Sequence, residues 1–241
     1  MVVYDMGNIE REYYLNGNIY KESYFNNGKL HRTDGPAHIV YYNNGNVREE
    51  RYYINGKLHR EDGPAIIWYN TDGVIEKERY FINHKYRRLD GPAEIWYYED
   101  GSVKFEKYYQ NGELHRLDGP AWIYYNIVGN IVKEEYYQNG KLHRLGGPAI
   151  IIYYGNNEKM YTERYFMNGY LHREDGPAVI YYWPNGKIKE EKYYKNDQLH
   201  RLGGPACTWY NEDGTTIEAY MIDGEQYDIF QYSVMVACIG E

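Results

Sequence analysis

Gly-Pro-Ala occurs seven times in this chain, beginning at Gly35, Gly63, Gly91, Gly119, Gly147, Gly176 and Gly204. Successive copies are 28 residues apart, with a single step of 29. A period this regular over most of 241 residues identifies one tandem array and removes the case for two unrelated domains. The array spans residues 34–224 and is preceded by a shortened unit, residues 1–33, that acts as a cap. Residues 225–241 read differently and form a second cap or a dimerisation segment.

Each unit reads as two main strands and a short third. After the proline comes a run such as Ala65-Ile66-Ile67-Trp68-Tyr69, rich in residues that suit a pleated sheet. A turn dipeptide such as Asp72-Gly73 leads into a charged and then aromatic run, Val74 to Phe81. A second turn then follows, as in Asn27-Gly28, Asn55-Gly56, Asn111-Gly112, Asn139-Gly140 and Asn168-Gly169. Asn-Gly accepts the positive φ that a two-residue type I′ turn needs at both positions, so it predicts antiparallel hairpins. The unit is too short for a propeller blade, which takes roughly 40 to 50 residues. The fold class expected is therefore all-β: an elongated repeat array of antiparallel β-hairpins, with a parallel β-solenoid as the alternative.

Period-two alternation sorts the first strand into two faces. Its third position is isoleucine in six copies, and its fifth is tyrosine in all seven (Tyr41, Tyr69, Tyr97, Tyr125, Tyr153, Tyr182, Tyr210). With the alanine these make a constant, packed face. The opposite face varies from copy to copy and carries an aromatic stripe: Trp68, Trp96, Trp122, Tyr124, Tyr181 and Trp209. Two readings of the stripe stand side by side, a cover for the sheet and a binding surface, since aromatic anchors dominate interaction hot spots. Composition agrees with a thin sheet. There are 33 tyrosines against five Trp and five Phe, and the mean hydropathy of −0.83 leaves few aliphatic side chains for a deep core.

The repeated polar residues invite chemistry and then discourage it. A glutamate two residues before a tyrosine recurs as Glu22, Glu50, Glu78, Glu106, Glu134, Glu163, Glu191 and Glu218, and an arginine recurs once per unit from Arg32 to Arg201. A Glu–Arg ladder tying the units together accounts for both columns, whereas an active site is normally singular. His31, His59, His115, His143, His172 and His200 precede the arginine. Equivalent residues lie about a repeat apart and cannot share a metal ion, so they are expected to brace turns or pack. The Asp of Asp-Gly-Pro becomes Gly146 and Gly203 in two copies, which points to a turn requirement and not to calcium. No phosphate loop, dinucleotide fingerprint, zinc cluster or nucleophile elbow is present. The expectation is a non-enzyme with no cofactor and no metal.

The string Tyr52-Tyr53-Ile54-Asn55-Gly56-Lys57-Leu58-His59 resembles the MORN repeat, and more closely its divergent variants. The resemblance covers residues 7–224. It departs from the family where arginine follows the histidine and where x-Asp-Gly-Pro-Ala lengthens the unit. The Asn-Gly-Lys-Leu-His-Arg-x-Asp-Gly-Pro-Ala form also looks like repeat proteins of large DNA viruses that infect amoebae. What the resemblance implies is an extended antiparallel sheet acting as a scaffold, with dimerisation and a lipid-binding role attached to the family.

A formal charge of −8 gives no basic footprint for nucleic acid and disfavours binding to anionic membranes. Cys207 and Cys238 lack disulfide or metal spacing, and MVVYDMGNIERE lacks the apolar run of a signal peptide. A cytoplasmic setting is expected, or host cytoplasm or virion for a viral protein. The functional expectation is a scaffold for protein–protein interaction, with a protein partner or self-association and a viral structural or host-interaction role. A carbohydrate-binding protein using the stripe and a membrane-surface protein are the alternatives. Tyr227–Val236 reads as a short helix or strand covering the last edge.

Overall fold

The structure is a computed structural model that describes residues 3–5, 8–155 and 159–239. Two compact units make up the chain, Met1–Leu114 with Ile127–Gly129 and His115–Asn126 with Asn130–Glu241. In the first, the sheet runs in chain order through Val3–Asp5, Ile9–Tyr13, Ile19–Asn26, His38–Tyr41, Val47–Arg51, Ile66–Tyr69, Ile75–Arg79, Glu94–Tyr97 and Val103–Lys107. Every neighbouring pair is antiparallel. The second unit repeats the scheme through Trp122–Tyr125, Ile131–Glu135, Ile150–Tyr153, Met160–Arg164, Val179–Tyr182, Ile188–Lys192, Cys207–Tyr210 and Thr216–Ile222. The hairpin reading holds, and the solenoid alternative does not.

After each second strand the chain makes a short hairpin, such as Phe81–Ile82 with Lys85–Tyr86. Its turn is left-handed at both positions, as at Asn55 (φ 51°) and Gly56 (φ 78°). Successive short hairpins are stitched together: the Gly56 N–H donates to the Leu30 carbonyl at 2.8 Å, and Gly169 to Leu142 at 2.9 Å. The histidines brace these turns, because Nδ1 of His31, His115 and His143 accepts the N–H of Asn55, Asn139 and Asn168 at 3.1 Å. Two turns lack glycine and compensate with a side chain. His84 (φ 68°) and Asp197 (φ 66°) take the left-handed place, and each accepts the leucine N–H of the hairpin before it, Leu58 at 3.2 Å and Leu171 at 2.6 Å.

The core lies where the sequence placed its constant face. The alanine of every Gly-Pro-Ala is 0% exposed, and Ile39, Ile67, Ile95, Ile123, Ile151 and Ile180 are buried beside it. The polar columns of this face differ from the expected Glu–Arg ladder. Within each unit glutamates accept the hydroxyl of the next repeat's tyrosine, as Tyr69 to Glu50 at 3.0 Å, Tyr97 to Glu78 at 2.8 Å and Tyr153 to Glu134 at 2.7 Å. The arginines instead lie over the second tyrosine column, 4.0 Å from the ring for Arg60 on Tyr52 and 3.8 Å for Arg144 on Tyr136. Where an aspartate stands two residues on, the arginine Nε donates to it, at 2.8 Å for Asp34 and 2.9 Å for Asp62. The reason is geometric: Glu50 sits directly opposite Ile67, so the tyrosine two residues along reaches it, while the arginine is carried away on the return of the short hairpin. Arg11, standing in the isoleucine column, does meet a glutamate on this face, Glu22 at 2.7 Å.

At the C-terminal end, Glu225–Tyr227 pairs with the end of Thr216–Ile222, and the helix Ile229–Ile239 follows. The open choice between helix and strand there resolves as helix. Asp228 and Gln231 form its capping box, with Asp228 accepting the Gln231 N–H at 2.8 Å and Gln231 accepting the Asp228 N–H at 3.2 Å.

Candidate interaction surface

The variable face carries two rows of side chains. The row containing Ile66, Glu94, Ile150, Val179 and Cys207 is buried. In the first unit the short hairpins reach over it, and Leu58, Ala65, Ile66 and Phe81 form one cluster with Tyr53, Trp68 and Tyr86 packed against it. The next row, which holds most of the stripe, is half-buried at the margin of that cover.

In the first unit Trp68 and Trp96 stand on either side of one strand, and Lys77 lies directly between them in register. Its ammonium is 4.5 Å from the Trp68 ring and 4.0 Å from the Trp96 ring. Burial in this slot pushes the Lys77 amine down to about 8, and the charge of Arg79 acts in the same direction. The two indole faces oppose that tendency, because their quadrupoles favour the cation. Phe105 extends the run by stacking on Trp96, ring centroids 5.1 Å apart. Beneath them Glu94, 3% exposed, accepts from Trp96 Nε1 and Arg79 Nε at 2.9 Å and from the Tyr109 hydroxyl at 3.2 Å. Burial pushes its carboxyl up. The hydrogen bond from Trp96, the charge of and hydrogen bond from Arg79 and the charge of Lys107 outweigh that and hold it below the ordinary carboxylate range.

The second unit arranges its share differently. Trp122 belongs to the buried row's register, opposite Glu135, and stacks on Tyr124 at 4.8 Å. Lys133 lies 5.4 Å from the Tyr124 ring and pairs with Glu135. Tyr181 meets Tyr161 edge-on at 5.8 Å and accepts from Arg164 at 3.3 Å. Trp209 stands opposite Glu190 on one side and Ile217 on the other. The stripe is therefore two local clusters, each interleaved with lysines. Lys77 and Phe105 share a column that also holds Glu49, Thr162 and Ile217, and Glu94 stands in one that holds Ile66, Trp122 and Val179, so residue type in these columns gives no rule that marks an anchor.

Nothing in this surface gathers a metal-ligand set, since the described residues contain no group of three or more His, Cys, Asp or Glu close enough to hold an ion. No helix among them is long and apolar enough to cross a membrane. The chain matches no curated protein sequence. The family model of the MORN repeat variant matches residues 6–27, 38–55, 93–115 and 178–196. Each match begins at or just before a first strand, runs through the second and reaches the left-handed turn after it. The chain thus carries the signature of the MORN repeat variant at four points along its hairpins.

Proposed function

We propose that the chain is a non-enzymatic scaffold that binds a protein partner through the aromatic and lysine clusters of its variable face, with Trp68, Trp96, Trp122, Tyr124, Tyr181 and Trp209 as the anchors. One observation carries this reading: the columns that recur in every repeat are used up inside the array. The glutamates are taken by tyrosines, the arginines by tyrosine rings and aspartates, and the histidines by the next turn. What differs from copy to copy is the stripe, and an address for one partner has to be written in residues that differ.

The Trp68–Lys77–Trp96 stack favours protein over sugar as the occupant. A sugar needs an open ring face, and in each of these tryptophans one face is already turned to the Lys77 ammonium. A role in a viral particle or at a host target rests on the resemblance alone. The test is affinity capture from the native cell with wild-type chain and with Trp68→Ala and Trp96→Ala. Loss of the captured partner, with an unchanged circular dichroism spectrum, is the expected result. A partner retained by both variants would move the binding surface elsewhere.

A further inference from the structure

Within the second unit every second strand but one is followed by a next first strand, and the pairing always has the same chemistry. The N–H groups of Tyr136, Tyr165 and Tyr193 donate to the carbonyls of Ala149, Ala178 and Ala206, each at 2.8 Å. Ile151 and Ile180 lie opposite Glu134 and Glu163. Tyr153, Tyr182 and Tyr210 then donate to Glu134, Glu163 and Glu191 at 2.7, 3.1 and 2.8 Å. Three features thus read an incoming strand: its small residue, its β-branched residue and its tyrosine hydroxyl.

From Tyr220 onward Thr216–Ile222 is paired with Glu225–Tyr227, and the outer edge of Thr216–Glu218 carries no strand among the described residues. Glu218 holds the carboxylate's place there, while Tyr220, the counterpart of the donating tyrosines, is already in register with Tyr227. Glu218 accepts the hydroxyl of Tyr220 of its own strand, at 2.8 Å. Thr216, Ile217 and Glu218 are exposed, Ile217 by 59%. The edge also lacks the usual protection. Each earlier hairpin of this unit shifts register beside its turn, and such bulges turn an edge away from further pairing. The last hairpin runs in uninterrupted register from Cys207↔Ala219 to Tyr210↔Thr216. No lysine or proline stands between Thr215 and Met221.

The C-terminal helix closes a different edge. In the array Arg173 and Arg201 donate their N–H groups to Tyr194 and Met221 of the next short hairpin. Asp228 occupies the corresponding place, and its N–H goes to Gln231 in the capping box. Tyr232 completes the seal: its ring lies 4.9 Å from Tyr220, and its hydroxyl donates to the Arg201 carbonyl at 2.9 Å and accepts the Gly204 N–H at 3.0 Å. The short-hairpin layer ends there, while the main-sheet edge at Thr216–Glu218 stays uncovered.

We propose that the Thr216–Glu218 edge is a strand-addition site that takes an extended segment of a partner protein, antiparallel, with a β-branched residue and a tyrosine at alternate positions. Main-chain hydrogen bonds supply affinity in such pairings and alternate side chains supply choice. A second copy of this chain fits the edge poorly. Its own free strand would bring a carboxylate to Glu218 where every internal pairing brings a hydroxyl, and its Ala-x-Ile-x-Tyr strands are already paired.

The proposal rests on reading the chain as a binding scaffold, but it involves neither Trp68 nor Trp96, so the two can fail separately. The probe is a fluorescent peptide of sequence Gly-Pro-Ala-Val-Ile-Tyr-Tyr, matching residues 176–182, titrated with the full chain and followed by anisotropy. Saturable binding is expected. Glu218→Pro, which removes an outward N–H, should abolish it. Replacing the final tyrosine of the peptide by phenylalanine should weaken it about fivefold to tenfold, the worth of one hydrogen bond. That difference should vanish with Glu218→Ala, whose backbone is intact and whose side chain offers no acceptor. Trp68→Ala and Trp96→Ala should leave the peptide affinity unchanged. Absence of saturable binding, or equal binding by Glu218→Pro with a native circular dichroism spectrum, would overturn the proposal. So would a dimer in sedimentation that Glu218→Pro dissolves, because the occupant would then be a second copy.

Discussion

At Glu94 four side chains converge on one buried carboxylate: Arg79, Trp96, Tyr109 and, at 3.8 Å, Lys107. Deleting it leaves Arg79 without its partner in a half-buried site, and breaking one side of a buried pair costs about 3 kcal/mol or more. Chemical denaturation of Glu94→Ala should show a loss of that size at neutral pH. The same comparison has a pH signature. The folded carboxyl titrates below its ordinary value, so its stabilisation is complete above the unfolded value of about 4.3 and fades as pH falls through the folded one. Wild type and Glu94→Ala should therefore converge in stability on acidification, and a gap that stays constant down to pH 2 would remove the ionised carboxylate from the explanation. This residue was not legible in the sequence as an anchor. It occupies a column that elsewhere holds Ile66 or Val179, and only the register shows that Arg79 lies opposite it.

The short hairpin is the element that converts a local rule into a repeated one. At Gly112 (φ 89°) a Cβ meets nothing within 4 Å, so the cost of Gly112→Ala is the left-handed backbone alone, about 1 kcal/mol. His84 sits at the same turn position in its own repeat and adds an accepted hydrogen bond from Leu58. His84→Ala should lose that bond without relieving the backbone and cost about 1 kcal/mol. His84→Gly should lie closer to wild type, because the relief of strain offsets the lost bond. Thermal melts of the two variants decide this, and equal losses would mean that φ does not matter there. The glycine of Gly-Pro-Ala has another cause. At Gly63 an added Cβ would stand 3.0 Å from the Arg60 guanidinium carbon, so the absence of a side chain lets the arginine lie on Tyr52. The sequence marked this glycine as a turn residue, and the contact with arginine was hidden because the two meet only after the chain has reversed.

Over the whole molecule the tyrosines make the fold a proton-linked system. Burial first, and the neighbouring glutamates second, push the hydroxyls of Tyr41 and Tyr210 up to about 12, and Tyr97, Tyr153 and Tyr182 are raised in the same way. A folded value above the unfolded one of about 10 means that the stabilisation is complete below pH 10 and is lost as pH rises through the folded values. Phenolate absorbance and circular dichroism followed together should show the buried tyrosines ionising as the sheet unfolds, above pH 10. Ionisation of all 33 tyrosines near 10 with an intact sheet would contradict the Glu–Tyr ladder. The net charge of −8 makes a second prediction at this scale. Co-sedimentation with anionic liposomes at low salt should recover no chain, and binding there would bring the membrane-surface reading back.

The sequence by itself determined the period, the hairpins, the packed face and the left-handed turns, because each depends on residues close in the chain: alternation by two, Asn-Gly chemistry, and the fixed place of alanine and isoleucine. The tertiary structure alone decided which columns meet. The glutamates find tyrosines of the next repeat, the arginines fold back on their own hairpin, and Lys77 comes between two tryptophans because strand register brings together residues that are distant in the chain. The open edge at Thr216–Glu218 belongs to the same class. Its residues look like those of any other repeat until the pairing shows no strand on their outer side among the described residues.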